Sequence, residues 1–288
     1  MQLPLRRSLG LRGDPPPPCE VADLAFLDPD GIARRVHGDL ASMLVGGLAA
    51  LFLQTLHPLA MAGVAEHSDY RSDPLGRLQR TARFVGTTTY GSRPEAEAAI
   101  AAVRRRHDRV TGVAPDGREY AANAPELLRF VHATELYAFA TASRRYGPEP
   151  LSLADLNRYC GEVAPVALAL GADWVPETWA ELEGYLEAVR PELSFGDQAR
   201  DARQFLLTGV ARKPHEAATY KVLVAAAVGC VPPWARTLLE LEIPPLVEPL
   251  AIRPVARLVA SGLRVAAPPY RPPAAQDAMV SPPSTTTT

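Results

Sequence analysis

Apolar residues recur along this chain at spacings of three and four, the period of helices that each turn one face to a core. The longest uncharged run, Leu40 to Ala65, contains no Asp, Glu, Lys or Arg. Its first part predicts a buried core helix of about four turns over Leu40–Leu56, ended at His57-Pro58 because proline disfavours helical backbone in the residue before it. That break, with Gly46-Gly47 and Gln54-Thr55 inside the run, argues against a stable membrane span, although the length alone would suffice. A short apolar piece leads to Gly63, and the polar run Glu66–Asp73 reads as a loop feeding a helix with Asp73 as N-cap and Pro74 at its first position. On that helix Arg77, Thr81 and Phe84 share a stripe, with Arg80 beside it. Thr87 to Gly91 is expected to be a short extended connection, since β-branched residues followed by glycine suit a helix centre poorly.

Ser92-Arg93-Pro94-Glu95 spells a capping box. The helix it starts carries Ala96, Ile100, Val103, His107 and Val110 on one stripe, with Arg104, Arg105, Arg106 and Arg109 on the flanks and outer face. Thr111 to Asn123, with Pro115-Asp116-Gly117, reads as a turn or small hairpin. Asn123-Ala124-Pro125-Glu126 reads as a second capping box, opening a helix to about Tyr146 in which Leu128, His132, Glu135 and Phe139 share a face. Further helices are expected over Leu151–Leu170, capped by Ser152 and closed by Gly171, and over Trp174–Val189, Asp197–Leu207, His215–Val228, Pro233–Leu241 and Pro254–Val265. The fold class is all-α. One helical domain covers residues 28–266, between a mobile N-terminal tail (1–27) and a Pro/Thr-rich tail (267–288) with too few apolar residues to pack.

Composition narrows the function. The 288 residues are 47% hydrophobic with a net charge of −2, which provides no electrostatic footprint for a nucleic-acid partner. Cys19, Cys160 and Cys230 are isolated thiols that spell neither a disulfide framework nor a zinc knuckle, so a reducing, cytoplasmic setting is expected. The first residues have arginines but no apolar region before a cleavage site, unlike a secretory signal.

His107 reads two ways: a core histidine satisfied by a carbonyl or water, or a neutral imidazole on a rigid helix available to a metal or haem. Spacing alone leaves both open. Arg77 and Thr81, with Arg80, are either a solvated helix flank or donors to dioxygen or an oxyanion. His132 and Glu135, with His107 and Glu162, form a possible set of non-haem iron ligands, with a packing role for His132 as the alternative. His57 suits an end-of-helix role, and His37 and His215 look exposed. No GxSxG, HExxH or phosphate loop is present.

Four motifs in order, HPLAMAGVAEHSDYRSDPLGRLQRTARF, VRRRHDRVTG, YAANAPELLRFVHATEL and GCVPPWAR, resemble the DUF2236 family, also called the MpaB-type oxygenase or rubber-oxygenase catalytic domain. The resemblance implies a globin-like core holding haem b. It matches His107 to the proximal iron ligand, Arg77 and Thr81 to the distal pair, and His132 to a histidine that keeps the haem pocket intact; Phe84, on the stripe of Arg77 and Thr81, is a further cofactor-binding candidate, and the helix Leu40–Leu56 would wall the pocket. Arg80 stands where latex-clearing members have a lysine able to ligate iron, and arginine offers no lone pair for that role. Glu66 is the nearest candidate for their catalytic carboxylate. The function implied is a haem-dependent oxygenase using dioxygen or peroxide, with a haem carrier or sensor and a non-haem iron oxidase as alternatives; substrate identity does not transfer with the resemblance, and without an evident secretion signal a small apolar intracellular molecule is expected rather than a solid polymer.

Overall fold

The two central helices cross where their side chains are smallest. The computed structural model describes residues 24–208 and 214–266. The expected core helix is α2 (Leu40–Gln54), preceded by α1 (Ile32–His37) and N-capped by Asp39, whose Oδ2 accepts from the Ser42 amide at 3.1 Å. It packs against α6 (Pro125–Tyr146) and α10 (Pro214–Cys230). At the α2–α6 crossing a Cβ on Gly46 would lie 3.0 Å from Phe139 Cα and 3.2 Å from the Ala138 carbonyl, so glycine is what permits the approach. Val45, Ala49, Phe52 and Leu53 meet Ala138, Ala142, Ala226 and Ala227 in this core. The opposite side of α6 packs Ala133, Leu136 and Phe139 with α1, α7 (Leu153–Leu170) and α8 (Trp179–Ala188) around Tyr159, Cys160 and Leu182. With both flanks buried, α6 is the axis of an all-α single domain.

Several boundaries differ from the periodicity. The apolar piece after Pro58 and the first part of the polar run form a helix, α3 (Pro58–His67), bent 108° from α2. His57 caps it, Nδ1 facing the Ala60 amide at 3.5 Å, which is the end-of-helix role expected of that histidine. α4 (Pro74–Tyr90) begins at Asp73-Pro74 as read, but runs on through the threonines that looked extended. Thr88 and Thr89 are buried there, the Thr88 hydroxyl donates back to the Phe84 carbonyl at 3.0 Å, and Tyr90 donates to the Arg34 carbonyl at 3.0 Å; burial and these bonds outweigh β-branched propensities of a few tenths of a kcal/mol each. The Ser92/Glu95 box opens α5 (Arg93–His107), which folds back along α4. β1 (Thr111–Val113) and β2 (Glu119–Ala121) form the small antiparallel hairpin, with Gly117 at φ 87° in its turn. Asn123 does not cap α6; its amide donates instead to the Arg104 carbonyl at 3.1 Å and to Asp108, near the end of α5. α8 starts at Trp179 rather than Trp174, because Thr178 and Glu181 form an unforeseen capping box.

α9 (Asp197–Thr208), α10, α11 (Pro233–Leu238) and α12 (Arg253–Ala266) complete the described chain. Packing begins ahead of residue 28: Ala25 bridges to Ser92 and Leu27 is buried. The expectations for residues 1–23 and 267–288, and for the His215 side chain, lie outside the described residues. Among the described residues no single helix is long and apolar enough to cross a membrane.

Candidate active site

The end of α3, the first half of α4, the end of α5 and the β-hairpin converge. Arg77 donates to Ser68 Oγ at 2.8 Å, just past the end of α3. It is half-buried; burial lowers its pKa and Arg80 and Arg106 add to that, against Tyr70, yet a guanidinium remains charged throughout the physiological range. Arg106, whose charge is felt at Arg77, is in the last turn of α5, of which His107 is the final residue.

His107 is half-buried, and its Nδ1 lies in the interior without a well-formed hydrogen bond. Burial lowers its pKa, the neighbouring Asn123 side chain opposes this, and Arg106 and Asp108 pull in opposite directions. The imidazole is therefore neutral near pH 7, the form that ligates a metal. The Asn123 Oδ1 beside it is likewise buried and unpartnered.

The other proposed distal residues stand differently. The inward stripe holds for Arg77 and Phe84, both half-buried, but Thr81 is exposed on the uncovered side of α4 with Ala82 and Arg83. Arg80 is exposed too, drawn back to Asp73 at 3.3 Å by opposite charge. Glu66 is held by Tyr120, which donates to Oε2; burial first, then Glu66, pushes the Tyr120 pKa up to about 12. His67 completes this group, its Nε2 3.1 Å from Tyr120 Oη and 3.2 Å from the Thr111 carbonyl oxygen.

A second polar group lies between α1, α2, α4, α6 and α7. His132 is buried, its Nε2 has no hydrogen-bond partner, and desolvation pushes its pKa down to about 4. One turn on, Glu135 is pushed up to about 7 by burial, which the Gln54 side chain opposes. Gln54 also donates to Thr134 Oγ1 at 3.3 Å. His37, expected to be exposed, is enclosed instead: Nδ1 is 2.8 Å from Thr89 Oγ1 and Nε2 is 2.8 Å from Tyr159 Oη, and burial pushes its pKa down to about 4. Its polar sequence neighbours hid this, because the partners lie on α4 and α7.

The four candidate iron ligands do not assemble. Glu162 accepts from the Ala33 amide at 2.9 Å at the start of α1 and from Arg158 at 3.3 Å, and among the described residues no three His, Cys, Asp or Glu side chains form a metal-binding group. A small half-open cavity lies elsewhere, lined by His57, Glu126, Arg129, Tyr185, Val189 and Glu192. Of the residues singled out for chemistry it includes none.

No curated protein and no solved structure matches the chain. A family model described as ER-bound oxygenase mpaB/B'/Rubber oxygenase, catalytic domain, matches residues 34–266. That span takes in both polar groups and all the helices around them, and the chain belongs to this family of oxygenase catalytic domains.

Proposed function

We propose that this oxygenase is haem-dependent, with His107 as the protein's iron ligand and Arg77 as the hydrogen-bond donor on the oxygen side. The observation that carries the reading is His107 itself: a neutral, half-buried imidazole at the end of a capped helix, its interior Nδ1 without a hydrogen-bond partner. Haem b would take a single protein ligand at its iron, and His107 is the residue that would supply it. When bound, the group supplies the redox chemistry that activates dioxygen or peroxide.

The chain's residues do the rest. Asn123, whose side chain neighbours the imidazole, would position His107. Arg77 donates to the oxidant, anchored by Ser68. Phe84 walls the pocket, His132 lines it as a neutral group, and Arg80 and Thr81 belong to its solvent-side rim. The substrate is a small apolar molecule, and the protein works in a reducing cytoplasm, a reading in keeping with free, buried Cys160 and Cys230.

The test is the visible spectrum of the purified protein. A Soret band that His107→Ala abolishes while far-UV circular dichroism is unchanged is the expected result; protein that carries neither haem nor iron after supplementation overturns the proposal, and iron without haem transfers it to a non-haem oxidase. Substrate-dependent oxygen uptake should fall about a hundredfold in Arg77→Ala, the usual cost of one lost donor to developing negative charge. Haem retained without any uptake identifies a carrier or sensor.

A further inference from the structure

The turn from α7 into α8 leaves large apolar side chains in solvent beside two faces of opposite charge. Leu168, in the last turn of α7, is 45% exposed, and Trp174, just beyond Gly171, is 42% exposed. Pro165 and Ala169, on the same side of α7 as Leu168, are exposed as well. Because α7 packs against both α5 and α8, its end is tied to each. Arg104 of α5 donates to the Ala169 carbonyl at 3.1 Å, and the Trp174 ring lies 5.9 Å from that of Tyr185 on α8.

The two neighbours carry opposite charge. At the end of α5, Arg105, Arg106 and Arg109 are exposed, and Asp108 is the single acidic residue from 98 to 115. Along α8, Glu177, Glu183 and Glu192 are exposed, and the single basic residue from 173 to 199 is Arg190, which pairs with Glu187 at 2.6 Å. Among the described residues none of these three arginine and three glutamate side chains forms an ion pair or a hydrogen bond. Both faces therefore keep their charge for a partner.

We propose that this turn is the centre of a two-fold dimer of the chain, in which Leu168 and Trp174 of the two copies pack together and the arginine face of each copy meets the glutamate face of the other. A two-fold contact brings the same patch of both chains to the axis, so its centre must complement itself and its flanks must complement each other. The apolar turn meets the first condition and the opposite free charges meet the second. An aromatic centre within a charged rim is also how protein interfaces are built. A uniformly acidic or uniformly basic partner would attract one flank and repel the other, and a net charge of −2 leaves little long-range repulsion between copies.

Sedimentation equilibrium of the full chain tests this. A species of twice the 31.0 kDa chain mass is expected, weakened by salt and lost in Leu168→Asp. Arg105→Glu with Arg109→Glu, and separately Glu177→Lys with Glu183→Lys, should each weaken dimerisation about a hundredfold, since both flanks then oppose like charges. An equal mixture of these two variants should recover a dimer, because every reversed face again finds an opposite one. All the altered residues are exposed, so unchanged circular dichroism certifies the fold. A monomer up to about 100 μM, a dimer indifferent to both reversals, no recovery on mixing, or growth beyond the dimer overturns the proposal.

Discussion

Adjacent glycines on α2 provide a sharp test of the packing argument. Gly46 and Gly47 occupy the same helix interior, and in both an alanine gains about 1 kcal/mol of helix propensity. Their surroundings differ. A Cβ at Gly46 would sit 2.7 Å from Phe139 Cδ1 and 3.0 Å from its Cα, whereas at Gly47 the nearest neighbour is Phe139 Cε1 at 4.0 Å. A ring can rotate, but the Cα and the Ala138 carbonyl at 3.2 Å belong to α6, so Gly46→Ala must push the two central helices apart. Overpacking of this kind costs about 1–3 kcal/mol, which leaves Gly46→Ala destabilising by about 1 kcal/mol and Gly47→Ala stabilising by about 0.5–1 kcal/mol. For a domain of this size the two variants should melt about 5 °C apart, on opposite sides of the parent. Thermal and urea denaturation followed by circular dichroism would measure it. A Gly46→Ala protein at least as stable as the parent would show that α2 and α6 do not approach as closely as described.

Three further outcomes follow from the buried charges. Glu135 has a folded pKa of about 7 against an ordinary 4.5, so its charge costs nothing at low pH and progressively destabilises the fold as pH rises from 4.5 through 7; Glu135→Gln should raise stability by about 3 kcal/mol at pH 8 and hardly at all at pH 4, and equal effects at both pH values would contradict this. His37, His57 and His132 act in the opposite sense, each with a folded pKa of about 4: their contribution is present above pH 6.5 and is lost as pH falls towards 4, so melting temperature should climb across that window and His37→Gln should flatten the climb. Arg264→Ala leaves Asp39, 1% exposed, without its bidentate partner, and should cost about 3 kcal/mol in urea denaturation, whereas Arg80→Ala, which loses only an exposed pair with Asp73, should change stability by less than about 0.5 kcal/mol.

The reading from sequence succeeded where the signal is local. Asp73-Pro74, Ser92 with Glu95, and Ser152 with Asp155 and Gly171 act through atoms a few residues apart, and each marks the boundary expected of it. It failed where a distant partner decides. Thr88 and Thr89 are helical because α1 and the core cover them. Asn123 turns to the end of α5, since carbonyls and Asp108 there need a donor. His37 is enclosed by residues 52 and 122 positions away. Thr81 shares a stripe with Phe84 but not its burial, because periodicity tells which residues share a face and not how far along it a neighbour extends.

By itself the sequence determined the helical architecture, the family and the singling out of His107 and Arg77, because apolar period, caps and short motifs are properties of neighbours along the chain. Only the tertiary structure decided that Arg77 is held by Ser68, that Glu66 is held by Tyr120, that Glu162 is occupied at α1, and that Glu135 and His37 are desolvated between packed helices. Those outcomes depend on which faces meet across long sequence separations, where desolvation and a single well-placed donor outweigh the preferences of any local stretch.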